Sequence, residues 1–409
     1  MRITIPLGDR KGADWSALRN ERHFLYRRIT DRDRAVLFVG EADVPATLSF
    51  DRNNAVDWYY GHIQYDLNEE LEPIRSRHPV IGGPPLSHWA VPRWVIEWKG
   101  SEVSLHTLKD DQEDAIAFAD RFFRDRDPAP VPELEWRSVT SRDRYLQQAN
   151  KLLQHIQRGD IYEVNYCIAR TASAHGFDPF EAFPLLLRGT DAAFAAFHRH
   201  GDRFALCASP ERFLAFKRDR VIAQPMKGTR PRSSDPIADA RLADELANDP
   251  KERSENIMAL DVARHDLSRI AARGSVKVDE LCKVHPHGKV HQMTSTVSAV
   301  IGNGHGPMDV VRAAFPMASM TGAPKYRAMQ LIDEAEDRRR GLFSGTLGFF
   351  APDGTADLNV VIRTIFFDAD RGELSLLTGS ALTAACDPEK EWEECELKAR
   401  SVLQALRSC

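Results

Sequence analysis

The sequence lacks the features that would place it in a membrane, in an oxidising compartment or on a nucleic acid. No stretch approaches the ~18 consecutive apolar residues of a transmembrane helix, and the N-terminus MRITIPLGDRKGADW has no apolar centre typical of a signal peptide. The 6 cysteines are scattered without a C-x-x-C pair, as expected for reduced thiols. The 55 basic and 60 acidic residues leave a formal net charge of −5, which offers no basic surface to nucleic acid. We therefore expect a cytoplasmic protein that binds neither membrane nor nucleic acid.

Repeats and low-complexity segments are also absent, whereas 43% of the 409 residues are apolar, enough for a substantial core. The runs AVLFVG, ATLSF and WVIEW, rich in β-branched and aromatic residues, predict strands near the N-terminus. The Pro-rich stretch DPAPVPELEW predicts a link at residues 127–136. It separates an N-terminal lobe, residues 1–126, from a catalytic region, residues 137–409. Because the link is short, we expect both lobes to form one body.

The catalytic region mixes helices and strands without regular βαβ alternation, which indicates an α+β fold. SRDRYLQQANKLLQHIQRGD has apolar residues at helical spacing, and IYEVNYCIAR, RFALCAS and RFLAFKR are strand-like. Alternation in RFALCAS predicts a half-buried strand. GTLGFF, LNVVIRTIFF and ELSLLTGSAL predict further strands, with turns at Asp353-Gly354 and Arg371-Gly372.

Two segments predict helices that begin with Asp-Pro, DPKERSENIMALDVARHDLSRI and DPEKEWEECELKARSVLQAL. Glu252 and Glu255 share a face of the first, and Glu391 and Glu394 share a face of the second. If the two faces met, the carboxylates would repel one another unless a cation lay between them. Oxygen ligands suit Mg²⁺. From spacing alone, solvated faces near helix N-termini are favoured over a metal site.

The segment QPMKGTRPR places Lys227 in a backbone constrained by glycine and proline, which predicts a loop that holds the lysine in place. A lysine acts as a nucleophile only after losing its proton, which requires burial or a cationic neighbour. Glu211, in SPERF, would act as a general acid only if a pocket kept it protonated. Taken alone, both residues are better explained as surface charges. No His/Cys pattern predicts zinc, and the histidines of KVHPHGKVHQ predict a surface loop.

Seven strings cover roughly residues 140–400. They are GDIYEVNYCIAR, ASPERF, QPMKGTRPR, KERSENIMALDVARHDLSRI, FPMASMTGAPKYRAMQLIDEAE, NVVIRTIFF and DPEKEWEECELKA. Together they resemble the chorismate-utilising enzyme family, in the family's order. This family includes aminodeoxychorismate, anthranilate, isochorismate and salicylate synthases. The resemblance implies two large packed β-sheets with helices outside.

The resemblance also implies roles for individual residues. Glu255 and Glu394 are similar in position to direct Mg²⁺ ligands, with Glu252 and Glu391 assisting through water. The metal would hold the ring carboxylate of chorismate. The family's general acid corresponds to Glu211. The implied substrate contacts are Thr229, Arg363, Gly379, Ser380 and Lys398.

One position discriminates between the branches of the family. Lys227 matches the lysine of the aminodeoxychorismate branch, where anthranilate synthases usually have alanine. Isochorismate and salicylate synthases place a water-activating lysine where this chain has Glu163. The resemblance thus implies amination of chorismate at ring carbon 4, through attack by Lys227. The alternatives are an anthranilate synthase or another chorismate-converting relative and, from another class, an inactive binding protein of the same fold.

The chain departs from the family's common pattern at several positions, including Ala318, Gln292, Phe343 and Ser380. A Leu-Leu-Glu-Ser string, which marks tryptophan binding in relatives, is missing. No stretch resembles a glutamine amidotransferase, so we expect ammonia from solution or from a separate glutamine amidotransferase subunit.

Overall fold

The protein is built on antiparallel strands. The computed structural model describes residues 2–29, 34–51, 54–80, 83–287 and 290–407. The strands are β1 (Arg2–Gly8), β2 (His23–Arg28), β3 (Arg34–Asp43), β4 (Phe50–Asp51), β5 (Asn54–Ala55), β6 (Tyr59–Ile63), β7 (Ser87–Lys99), β8 (Glu102–Leu108), β9 (Arg137–Ser138), β10 (Glu163–Ser173), β11 (Ala196–His200), β12 (Arg203–Cys207), β13 (Arg212–Lys217), β14 (Arg220–Ala223), β15 (Met226–Pro231), β16 (Lys277–His287), β17 (Val290–Val300), β18 (Gly322–Ala323), β19 (Thr346–Phe350), β20 (Thr355–Asn359), β21 (Thr364–Asp368) and β22 (Glu373–Thr383).

Helices lie between these strands in no regular alternation. They are α1 (Asn68–Leu71), α2 (Gln112–Phe122), α3 (Arg142–Gln157), α4 (Pro179–Thr190), α5 (Pro236–Ala247), α6 (Pro250–Ser268), α7 (Pro307–Ala314), α8 (Lys325–Ala335) and α9 (Pro388–Ala405). The predicted α+β class is confirmed.

The strands β4 and β5 pair only with each other. The other strands form two sheets that share the long strand β7. The first sheet runs β1-β8-β7-β3-β2-β11-β12-β21-β22-β10, with β9 and β18 also paired to β10. The second runs β7-β6-β19-β20-β13-β14-β17, with β15 and β16 also paired to β17. All of these pairs are antiparallel.

Burial on both faces of β12 shows how the layers stack. Phe204 and Leu206 belong to an apolar cluster with residues of α2, α4 and α9 on the outer side. Ala205 and Cys207 belong to a second cluster, which contains residues of β6 and β19 from the other sheet. The prediction of a half-buried strand from RFALCAS is therefore wrong, because helices cover one face of β12 and the second sheet covers the other.

The Pro-rich segment, residues 127–136, has no regular secondary structure. Its backbone is held where the Ala129 amide donates to the Glu181 carboxylate at 2.8 Å. Strands that precede this segment pair directly with strands that follow it, β2 with β11 and β6 with β19. The residues on either side of the link thus build both sheets together.

Three local predictions from sequence are wrong. ATLSF forms no strand beyond Phe50 in β4, and LNVVIRTIFF is interrupted between β20 and β21. KVHPHGKVHQ is not a surface loop in its described part, because His285 and His291 lie on the paired strands β16 and β17. Residues 288 and 289 of that string lie outside the described residues.

The cysteines and the helices fit the predictions made from the composition. Within the described residues, Cys167, Cys207, Cys282, Cys386 and Cys395 are free thiols. None of the helices in that part of the chain is both long and apolar enough to cross a lipid bilayer.

Candidate active site

The two Asp-Pro segments form α6 and α9, as predicted. Asp249 caps α6 by accepting hydrogen bonds from the amides of Lys251 and Glu252. Asp387 caps α9 by accepting from the amide of Glu389. Capping by aspartate and the fit of proline to the first helical position begin both helices. The acidic first turns of these helices also suit the positive end of the helix dipole.

A lysine links the acidic faces of the two helices. Lys251 of α6 donates from Nζ to Glu391 Oε1 of α9 at 2.7 Å. The same Nζ lies 3.8 Å from Glu255 Oε1. The carboxylates of α6 and α9 therefore converge on one place, as the spacing of glutamates on the two helices requires for a shared site.

Burial changes the acidity of these glutamates. It raises the pKa of Glu255 to about 7, and it raises the pKa of Glu252 and of Glu391 above their ordinary values. Glu394 differs: burial acts to raise its pKa, but the charge and hydrogen bond of Lys398 lower it overall. Burial thus disfavours the charged form of three of the four carboxyls.

Two buried carboxylate oxygens in this cleft have no hydrogen-bond partner among the described residues, Glu255 Oε1 and Glu391 Oε2. Buried polar atoms are normally satisfied, and an all-oxygen donor set is the one that Mg²⁺ prefers. These residues fit a magnesium ion. Glu394, by contrast, is occupied by Lys398, whose Nζ lies 2.6 Å from Glu394 Oε1.

Lys227 lies on a bulged strand rather than in the predicted loop. The register of β15 against β17 shifts between Lys227 and Thr229, at Gly228. Gly228 has φ of +75°, and a Cβ there would come within 2.9 Å of Leu246 Cδ1 and 3.0 Å of Glu252 Oε2. Only glycine fits this backbone conformation and this close approach to α6.

The amine of Lys227 is bound to a residue on the other sheet. Its Nζ donates to Glu163 Oε1 at 2.6 Å, and both side chains are largely buried. Burial acts to lower the pKa of Lys227, but the charges of Glu163 and Glu255 raise it above its ordinary value. The contact joins β15 to β10, so the two sheets that share β7 meet again at this lysine.

Glu211 is buried beside the same lysine, at the start of β13. It is 5% exposed, and burial raises its pKa to about 7, while neighbouring Ser319 and Lys227 act in the opposite direction. The interpretation of Glu211 as a surface carboxylate is therefore wrong. A carboxyl that exchanges its proton near neutral pH suits a general acid.

Arg363 occupies the interruption between β20 and β21. Its φ of 53° lies in the left-handed region, which is disfavoured for a residue with a side chain. Its Nη1 donates to Ser401 Oγ of α9 at 3.2 Å. Burial acts to lower the pKa of Arg363, against the charge of Glu394. This strained backbone turns the guanidinium toward the acidic helix α9.

The other predicted contacts have different surroundings. Lys398 donates from Nζ to the carbonyl oxygen of Gly379 at 2.7 Å, and Thr229 is exposed just beyond the bulge. The hydroxyl of Ser380 lies 3.0 Å from that of Tyr145, in a buried contact. Because its side chain is engaged there, Ser380 has only its backbone to offer a substrate.

The departures from the family pattern fall in two settings. Phe343 is 1% exposed in an apolar cluster, and Ala318 is 9% exposed next to Ser319. Gln292 is buried opposite Thr229 on β17, and its Oε1 has no partner within the described part of the chain. Gln292 therefore lies close to the lysine strand, whereas Phe343 is a core residue.

Sequence reasoning missed two residues of this site. It treated Glu163 only as the absence of a lysine, although Glu163 binds Lys227 from 64 positions away. It gave no role to Lys251, which links the two acidic helices. A helical spacing of four from Lys251 to Glu255 was the available signal for the second residue, and none existed for the first.

Two packed antiparallel sheets, with a cleft that joins paired glutamate helices to a buried lysine, define the class of chorismate-utilising enzymes. Comparison with known proteins agrees. The chain belongs to the chorismate binding enzyme family, which matches residues 18–404.

Similar proteins of this family carry more than one name. The chain is 42% identical over 291 residues to the aminodeoxychorismate synthase of Streptomyces griseus, covering 69% of this chain but 39% of that protein. It is 35% identical to aminodeoxychorismate synthase component 1 of Klebsiella aerogenes, covering 85% of this chain and 77% of that protein. It is also 33% identical to anthranilate synthase component 1 of Thermus thermophilus, covering 85% and 76%.

Solved structures share the fold at low identity. The menaquinone-specific isochorismate synthase from Escherichia coli superposes with a TM-score of 0.79 at 18% identity, covering 99% of this chain and 94% of that one. Anthranilate synthase component I from Streptococcus pneumoniae superposes with a TM-score of 0.75 at 21% identity, covering 98% and 92%. The expectation of two packed sheets with outer helices is confirmed.

Proposed function

We propose that this protein is the chorismate-aminating component of an aminodeoxychorismate synthase, which converts chorismate and ammonia to 4-amino-4-deoxychorismate. The observation that carries the proposal is the buried Lys227 amine, bound to Glu163 and within electrostatic reach of Glu211 and Glu255. This arrangement supplies an amine, a partner for its proton, an acid and a carboxylate cluster in one cleft.

In the proposed reaction, Lys227 first transfers a proton to Glu163 and becomes a neutral amine. Its nitrogen forms a bond to ring carbon 2 as both conjugated ring double bonds shift and the bond from ring carbon 4 to its hydroxyl breaks. Glu211 donates the proton that lets the hydroxyl depart as water. Ammonia then bonds to ring carbon 4, the two double bonds shift back, and the bond from ring carbon 2 to the lysine nitrogen breaks. This route divides one difficult substitution into two easier displacements.

Substrate carboxylates would be held by cations of the cleft. Arg363 can meet a carboxylate with two parallel hydrogen bonds, and Lys398 lies on the same helix face as Glu394. The residues that would hold Mg²⁺ are Glu255 and Glu391, which have the unpartnered oxygens, together with Glu252 and Glu394. When bound, Mg²⁺ supplies positive charge for a substrate carboxylate.

The nitrogen donor in this proposal is ammonia, free in solution or delivered by a separate glutamine amidotransferase subunit. The product, 4-amino-4-deoxychorismate, would be a precursor of para-aminobenzoate and hence of folate.

Mass spectrometry of chorismate incubated with the chain, Mg²⁺ and an ammonium salt tests the proposal. We expect 4-amino-4-deoxychorismate, which retains the enolpyruvyl group. Anthranilate, which is fluorescent and has lost that group, would instead make the protein an anthranilate synthase, the alternative supported by the Thermus thermophilus relative. No conversion at saturating Mg²⁺ and ammonium would make it an inactive binding protein of this fold.

The pH dependence should report the proton on Glu211. Because burial raises the pKa of Glu211 to about 7, its carboxyl is mostly protonated below that pH and mostly ionised above it. At a constant concentration of free ammonia, we expect kcat/KM for chorismate to fall tenfold per pH unit on the alkaline side. Glu211→Gln should lower the rate by about 10²–10⁴-fold, the usual contribution of a general acid. If the residual activity of Glu211→Gln falls with pH in the same way on the alkaline side, that fall must be assigned to another group.

A further inference from the structure

Three metal-ligating side chains meet on the first sheet, outside the carboxylate cleft. His23 begins β2, Glu41 lies near the end of β3, and His200 ends β11. These strands are neighbours in the order β3-β2-β11, and His23 and His200 are directly opposite one another. One ligand atom from each residue lies within 4.8 Å of the other two.

The ring nitrogen of His23 that faces the Glu41 carboxylate makes no hydrogen bond to a described residue. His23 Nδ1 is buried without a hydrogen-bond partner among the described residues, and it lies 3.4 Å from Glu41 Oε1. Two ligand atoms placed about 2.0–2.2 Å from one ion at a tetrahedral angle are separated by about 3.4 Å. A buried imidazole nitrogen normally finds a partner, and a metal ion between these two atoms would provide it.

A neighbouring histidine holds the carboxylate of Glu41. His88 Nε2 lies 2.6 Å from Glu41 Oε1, which is the kind of outer hydrogen bond that orients a metal-binding carboxylate. The ring of His200 is centred 4.5 Å from the ring of His88 and 4.7 Å from the ring of His23. His88 is thus close enough to serve either as that outer partner or, by rotation, as a further ligand.

The side chains of His23 and Glu41 remain 27% and 17% exposed, which leaves a route of entry for an ion.

We propose that His23, Glu41 and His200 bind one zinc-type divalent ion, separate from the magnesium-type site of the acidic helices. Two imidazole nitrogens and one carboxylate oxygen are donors that zinc accepts and that magnesium does not favour. The ion would join strands from both sides of the Pro-rich segment, since His200 follows it in the chain. Its effect would be to stabilise the pairing of β2 with β11, without a part in the reaction.

Titration of the metal-free full chain with Zn²⁺, in saturating Mg²⁺, tests this proposal. A chromophoric zinc chelator as competitor should reveal one tight site, and Zn²⁺ should raise the melting temperature. His200→Asn and Glu41→Gln should each weaken zinc binding at least tenfold, whereas His305→Asn, at an exposed histidine, should leave it unchanged. Because Glu41→Gln retains a hydrogen-bonding group for His88, it guards against loss of binding through misfolding.

Co²⁺ provides a second readout that does not depend on affinity. In the intact chain it should give the intense visible absorption of a four-coordinate ion, and His200→Asn should abolish that absorption. The proposal would be overturned by the absence of a tight zinc site, or by zinc binding unchanged in His200→Asn. Zinc binding that is lost in Glu255→Gln but kept in Glu41→Gln would place the ion in the acidic cleft and equally overturn it.

Discussion

Replacement of Lys227 by alanine should abolish amination of chorismate, with a loss on the order of 10³-fold or more, as for removal of a covalent nucleophile. The amine lies in the cleft with Glu163, within electrostatic reach of Glu211, and alanine offers no nucleophile. Chorismate should still bind, because the variant leaves unchanged Arg363 and Lys398, the proposed contacts of its carboxylates. The measurement is the rate of 4-amino-4-deoxychorismate formation, together with chorismate binding by calorimetry. Lys217→Ala, at an exposed lysine, is the matched control.

Lys227→Arg separates the covalent role of the lysine from its charge. Arginine can keep the ion pair with Glu163, but its guanidinium stays protonated and is no nucleophile. We therefore expect Lys227→Arg to be as inactive as Lys227→Ala. Without ammonia, the parent protein should gain the mass of chorismate less water, and neither variant should. Substantial amination by Lys227→Arg, or no adduct on the parent, would leave the lysine with an electrostatic role only.

Elements with strong local signals could be predicted from the sequence. Asp-Pro starts, helical spacing of the glutamates and the turns at Gly354 and Gly372 all depend on neighbours in the chain, and both glycines have positive φ as those turns require. The second face of β12 could not be predicted, because a sheet contributed by distant residues covers it. Local alternation reports one buried face, whereas tertiary packing decides the other.

The pairing of Glu163 with Lys227 could likewise not be predicted from the sequence. Glu163 and Lys227 lie on different sheets and meet only because those sheets share β7 and approach again at β10 and β15. The family resemblance implies that Lys227 is a nucleophile, yet Glu163 and Glu255 hold its pKa above the ordinary value, so the proposed reaction requires a neighbour to remove the proton. The histidine cluster escaped notice for the same reason, since its members come from three separate strands.

Glu255 should be indispensable for activity yet dispensable for folding, and this contrast separates a metal ligand from a structural residue. In the metal-free protein its carboxyl is buried with one unpartnered oxygen. Burial raises its pKa from an ordinary 4.5 to about 7. Its contribution to stability is therefore full below pH 4.5 and is lost as the pH rises through 7, where a buried negative charge must be maintained.

Glu255→Gln keeps the shape of the side chain and removes that charge. At pH 8 without Mg²⁺, we expect the variant to melt no lower than the parent protein. Its amination rate should nevertheless fall by about 10²–10³-fold, since a metal ion contributes several kcal/mol to catalysis, and Mg²⁺ should no longer raise its melting temperature. Glu393→Gln, at an exposed position on α9, should change none of these quantities. A Glu255→Gln variant that keeps both the rate and the Mg²⁺-induced thermal shift would exclude Glu255 as a ligand, and the carboxylates of α6 and α9 would then serve only to balance the lysines between them.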